Sequence, residues 1–119
     1  MPLLEQARAH CQAALKLRPG NTTSRQCCNY ALLALAQIHL ARGDHARLAT
    51  AADDLARSGY EPANDAYNAA CFLCRCVTLA DKDARLDMAR RKELTTGYAD
   101  RALALLRQAV ARGYKDAAP

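Results

Sequence analysis

The chain has no tryptophan and one phenylalanine, and five tyrosines are its only other aromatic residues. Because 51% of its 119 residues are nevertheless hydrophobic, the apolar content is mainly alanine and leucine, a mixture that favours helix. Glycine and proline are scarce as well, five and four residues that fall at a few places and leave uninterrupted stretches of helical length. No stretch alternates apolar and polar residues over the length of a strand, which argues against a sheet. No run approaches the roughly 18 consecutive apolar residues of a membrane span. The opening Met1-Pro2-Leu3-Leu4-Glu5 lacks a basic segment followed by an apolar one, so no export signal is expected. A chain of this length holds one domain with a modest core.

What is present is a chain with 17 basic and 12 acidic residues, a net charge of +5. The charges are interspersed along helical stretches and form no basic block, which reads as a solvated face and not as a nucleic-acid surface. Six cysteines in a small chain can indicate a disulfide scaffold. Here Cys27-Cys28 and Cys71-x-x-Cys74-x-Cys76 lie inside helical patterns, which fits a reducing cytoplasm better.

Helix punctuation can be read directly. Leu3, Leu4, Ala7, Cys11, Ala14 and Leu15 have helical spacing over residues 1–18, and Arg18-Pro19-Gly20-Asn21 ends that segment. A second helix opens at Thr22 or Thr23 and runs to Arg42, with Gly43 as a left-handed stop and Asp44 as the next N-cap. The third spans about Asp44 to Ser58, with Leu48, Ala52 and Leu55 on one stripe, and stops at Gly59-Tyr60. A fourth starts near Pro62 or Ala63 and continues to Leu79, followed by a charged loop, Asp81-Lys82-Asp83-Ala84-Arg85. From Asp87, a last helix extends to Arg112 and stops at Gly113, with Thr95-Thr96-Gly97 as a weak point for a kink or a later start. Five helices joined by two- to six-residue connections imply antiparallel neighbours.

Internal repetition distinguishes a bundle from a solenoid. Leu35-Ala36 and Ala69-Ala70 stand 34 residues apart, the period of the tetratricopeptide repeat. Leu48, Ala52, Leu55, Gly59 and Tyr60 match Ala102, Leu106, Ala109, Gly113 and Tyr114 at an offset of 54, one repeat plus a 20-residue insertion. On these residues the chain resembles tetratricopeptide repeats. The segment from Leu35 to Asp44 is similar to the end of a repeat's first helix, and Tyr98 to Ala109 is similar to a second helix. Ala7, Cys11, Ala14 and Pro19 resemble the second helix of a preceding repeat that lacks its first. The resemblance implies one all-α, antiparallel helix-pair solenoid over 1–119: a truncated repeat (1–18), a repeat (22–58), and a repeat with an insertion near 81–97 (63–113). More narrowly, Asp65 to Cys71 and Ala109 to Asp116 resemble repeat tails appended to some bacterial serine/threonine protein kinases. The phosphate loop, catalytic loop and metal-binding Asp-Phe-Gly of a kinase are not in the sequence, so any such activity would belong to another domain.

No residue pattern points to catalysis. Cys71 and Cys74 share a helix face and Cys76 points elsewhere, and a continuous helix splays such ligands away from a tetrahedral zinc. Filling close helix contacts is the simpler role for them. His10, His39 and His45 are scattered and have no nucleophile-and-base spacing. Asp53 and Asp54, adjacent in a helix, diverge. Neither metal nor cofactor is expected. The resemblance implies instead a concave groove lined by the first helix of each repeat. In this register Tyr30, Leu33, Gln37 and Leu40 face it from one helix, and Asn64, Tyr67, Cys71, Cys74 and Arg75 from the other. Leu33 and Gln37 stand where relatives that clamp a terminal carboxylate have Lys and Asn, so apolar and amide contacts to a protein or peptide partner are expected. The rival reading is a structural extension that supports an adjoining domain. The broad apolar stripe of the last helix, with Leu103 and Leu106, further suggests self-association through an end helix.

Overall fold

A computed structural model describes residues 22–57 and 61–114, together with Gln6, Ala9, His10 and Ala13, which are helical and exposed. Apart from those four residues, the expected helix over 1–18 lies outside the described residues, as does the Gly59-Tyr60 stop. Within them the chain is all-α, with four helices and no strand: α1 (Thr22–Ala41), α2 (His45–Ala56), α3 (Pro62–Asp81) and α4 (Met88–Ala111).

Local chemistry sets these boundaries. Gly43 adopts a positive φ of 69°, and the amides of Gly43 and Asp44 bond back to the carbonyls of Leu40 and His39, closing α1. The Asp44 carboxylate then accepts the Arg47 amide at 3.1 Å and starts α2. Asp87 starts α4 in the same way, accepting the Arg90 amide at 2.7 Å. At the far end of α4 the motif that closed α1 recurs: Gly113 has φ 94°, and the Tyr114 amide bonds to the Ala109 carbonyl at 2.8 Å. Between these caps α4 passes through Thr95-Thr96-Gly97 without interruption. No glycine follows Leu79, and α3 continues to Asp81, further than a 34-residue shift of α1 would carry it.

Each helix packs mainly on its neighbours in the chain, and α1 also touches α3. Alanine makes the close approaches. Ala36, Ala52, Ala66, Ala69, Ala70 and Ala80 are wholly buried among Leu48, Leu55, Leu73 and Cys76. With few large aromatics, Phe72 and Tyr98 among the described residues, such a core is filled mainly by bringing backbones close together. At the 34-residue spacing, Leu32, Leu35, Ala36 and His39 are buried in α1 where Ala66, Ala69, Ala70 and Leu73 are buried in α3. Cys28 and Asn29 depart from that register, since Pro62 is exposed and Ala63 half-buried. No described helix is long and apolar enough to cross a membrane.

Candidate interaction surfaces

The α1 and α3 faces named from the sequence differ in accessibility. Tyr30 is 56% exposed, Gln37 is exposed, and Leu33 and Leu40 are half-buried. On α3, Asn64, Cys71, Cys74 and Arg75 are exposed, and Tyr67 is half-buried. A buried hydrogen bond joins the two helices: Asn29 Nδ2 donates to Asp65 Oδ1 at 2.6 Å. The other oxygen of Asp65 accepts the Glu61 amide at 3.0 Å, so one carboxylate both caps α3 and holds it to α1. Asn64 Nδ2 donates to Glu61 Oε2 at 2.7 Å, and Gln26 Nε2 to the Tyr30 hydroxyl at 2.9 Å. Tyr67 is partly covered by its own chain. Tyr114 stacks on it with ring centroids 4.3 Å apart and planes 9° from parallel, while Arg112 Nη1 donates to the Pro62 carbonyl at 3.2 Å.

A second polar cluster joins α2, the 82–87 connection and α4. His45 is bonded through Nε2 to Asp83 Oδ2 and through Nδ1 to the Tyr98 hydroxyl, both at 2.9 Å. Asp83 also takes a bidentate bond from Arg85, Nε at 3.0 Å and Nη2 at 3.1 Å. Hydrogen bonds from Arg85 and His45 hold the Asp83 carboxyl well below the usual carboxylate range. An ionised carboxylate only accepts, so His45 Nε2 carries the shared proton. Arg91 Nη2 donates to the carbonyls of Asp83 and Leu86, each at 3.0 Å, and so wraps the connection around the start of α4. The Cys76 thiol donates to the His45 carbonyl at 3.4 Å from beneath.

A histidine between a carboxylate and a hydroxyl has the connectivity of a catalytic triad, and here it ties α2, the 82–87 connection and α4 together. His45 and Tyr98 are both buried. Burial pushes the Tyr98 phenol up, away from the phenolate form, and pushes the Cys76 thiol up to about 12. The open cavity of about 370 Å³ beside Tyr98 is otherwise lined by Arg90, Glu93, Leu94, Gly97 and Arg101, none of them a nucleophile paired with a base. Sequence reading missed this cluster because its members stand 38 and 53 residues apart. Its one sequence cue is a histidine directly after an N-cap aspartate, too common to identify a site.

The described cysteines divide by depth: Cys27, Cys71 and Cys74 are exposed, and Cys28 and Cys76 are buried. Among the described residues no group of three or more His, Cys, Asp or Glu side chains is placed to hold a metal ion. Asp53, read from the sequence as solvated, pairs with Arg101 of α4, whose guanidinium also lies 5.8 Å from the centre of the Tyr98 ring.

On the side of α4 away from Asp53, a shallow groove of about 310 Å³ runs between α3 and α4. Cys74, Val77, Ala99, Ala102, Leu103 and Leu106 line it, and it is almost wholly apolar. Beside it Leu103 is 52% and Val110 72% exposed. Comparison with protein-family models, curated proteins and solved structures found no match to this chain.

Proposed function

We infer that this chain is a non-catalytic protein-interaction module, an antiparallel helix-pair solenoid of tetratricopeptide type. It holds a partner polypeptide against the faces of α1 and α3. One observation carries the reading: these two helices, tied by Asn29 and Asp65, keep accessible the mixed aromatic, amide, thiol and cationic side chains Tyr30, Gln37, Asn64, Cys71 and Arg75. Such a set suits an extended or helical peptide, with apolar contact from Leu33 and Leu40 at the floor and hydrogen bonds from the amides at the rim. In the His45, Asp83 and Tyr98 cluster, His45 and Tyr98 are buried, and the cavity beside Tyr98 is lined by no nucleophile paired with a base. An association with a protein kinase domain rests on the sequence resemblance alone.

The Tyr67–Tyr114 stack favours the second reading, a structural extension, because there the chain covers its own surface. Affinity capture on the purified chain, followed by calorimetry with the recovered partner, separates the two. On the interaction reading, Gln37→Ala and Arg75→Ala each weaken binding by roughly tenfold while leaving the thermal midpoint unchanged. A partner held equally well by both variants, or none retained, supports the structural reading.

A further inference from the structure

Helix α4 leaves Leu103 and Val110 exposed and Ala99 and Leu106 half-buried. Ala99, Leu103, Leu106 and Val110 follow one another at intervals of four, three and four residues, the spacing of a coiled-coil seam. The helix buries a different stripe, Tyr98, Ala102, Leu105 and Ala109, against the rest of the fold. The seam is therefore a second apolar face, lying along the α3–α4 groove with Cys74 and Val77 on its inner flank.

Its outer flank carries Asp100 and Arg107, the residues that directly follow Ala99 and Leu106. Both are exposed, and neither pairs with another charged group of the described residues. When a helix is laid antiparallel on a copy of itself about an axis midway between Leu103 and Leu106, each Leu103 meets the other copy's Leu106, and each Ala99 its Val110. The same operation brings Asp100 of one copy beside Arg107 of the other, and the two-fold repeats that contact. The seam thus matches itself in both shape and charge.

We propose that the α4 seam is a two-fold docking surface for a second copy of this chain, with the two α4 helices antiparallel and Leu103 of each copy entering the α3–α4 groove of the other. The surface is separate from the α1 and α3 faces and does not depend on their function. The net charge of +5 on each copy opposes the approach, and the two Asp100–Arg107 contacts offset it where the surfaces meet.

Sedimentation velocity over a dilution series tests this with four variants: Leu103→Glu, Asp100→Arg, Arg107→Asp, and the double reversal of Asp100 and Arg107. The native chain is expected to dimerise and to dissociate on dilution, and Leu103→Glu to be monomeric throughout. Each single reversal juxtaposes like charges twice across the axis and raises the dissociation constant roughly tenfold or more, and the double reversal returns it to within about threefold of the native value. All the substituted side chains are exposed, and an unchanged helical circular dichroism signal verifies that each variant is folded. A strict monomer at the highest concentration reached overturns the proposal, even if the seam then binds an added amphipathic peptide. So does a dimer indifferent to Leu103→Glu, or single reversals that the double does not repair. Partner capture through Gln37 and Arg75 is read separately, so either idea can fail without the other.

Discussion

Helices α2 and α4 hold matching positions at the 54-residue offset, yet they are buried differently. Leu48, Ala51 and Leu55 are buried in α2, and their counterparts Ala102, Leu105 and Ala109 are buried in α4. The next two positions diverge. Ala49 and Ala52 are buried, whereas their counterparts Leu103 and Leu106 are exposed and half-buried. The cause is the number of neighbours: α2 lies between α1 and α3, while α4 is packed against α3. A helix covered from both sides requires small residues where the backbones close, which is why alanine occupies positions 49 and 52. A helix that the described residues cover mainly from one side keeps its other apolar stripe available, and leucine can stand there because no described element is displaced. Positions with the same spacing therefore serve as core in α2 and as surface in α4.

Substitution at matched positions breaks this comparison most sharply. Leu55→Ala, in the wholly buried stripe of α2, is expected to cost about 2–5 kcal/mol in urea unfolding. Leu103→Ala, measured in dilute protein, is expected to cost less than about 1 kcal/mol. Equal costs would show that α4 is covered as α2 is. A smaller but still large effect is expected at the tight contact of α3, where Ala70→Leu should overpack a wholly buried site and cost about 1–3 kcal/mol in the same assay. A neutral result would mean that Ala70 does not sit at a close helix contact.

The two helices also differ at their starts, because only the joint of α4 with α2 carries the His45–Asp83–Tyr98 tie. His45→Phe removes the hydrogen-bond partner of the buried Tyr98 hydroxyl, a loss expected to cost about 1–3 kcal/mol in urea unfolding, while Asp83 keeps its bonds from Arg85. Acid should act on the same tie. The folded-state pKa of Asp83 lies below its unfolded value, so its contribution is complete above the unfolded value and is lost as pH falls through the folded one. Thermal midpoints measured downward from about pH 4 should therefore fall less steeply for Asp83→Asn than for the native chain. Parallel slopes would remove Asp83 from the acid response.

At the other end of α4, Tyr114→Ala removes the stack on Tyr67, an effect of about 0.5–1.5 kcal/mol. The variant should also make Tyr67 more accessible to iodination, and no change in either reading would contradict the stack. The smallest effects concern thiol chemistry and not stability. Under native conditions Cys71 and Cys74 should alkylate readily, while Cys76, buried and pushed up to about 12, should react only through unfolding. Comparable rates for the three by mass spectrometry would contradict the burial of Cys76.

Much of this architecture was legible in the sequence because local signals control it. Gly43, Asp44, Pro62, Asp87 and Gly113 mark helix ends through backbone geometry and single hydrogen bonds, which neighbouring residues determine. The buried stripe of Leu48, Ala52 and Leu55 followed from helical spacing in the same way. What distant residues decide was not legible. The asymmetry between α2 and α4, the Asn29–Asp65 bond and the His45 tie all join segments more than 30 residues apart. The partial cover of Tyr67 by Tyr114 is of the same kind, since no spacing rule links the start of α3 to the end of α4. The ion pair of Asp53 escaped notice for that reason, because its partner Arg101 lies on another helix.

The central claim is that a position closed in α2 has an open counterpart 54 residues later in α4, and thiol accessibility reads it directly. Cysteine is introduced at Ala49 or at Leu103, and each site's labelling rate in dilute native protein is followed by mass spectrometry against Cys71 of the same molecule. Leu103→Cys is expected to label about as fast as Cys71, and Ala49→Cys only at the rate of unfolding. Equal protection at the two sites would contradict the claim.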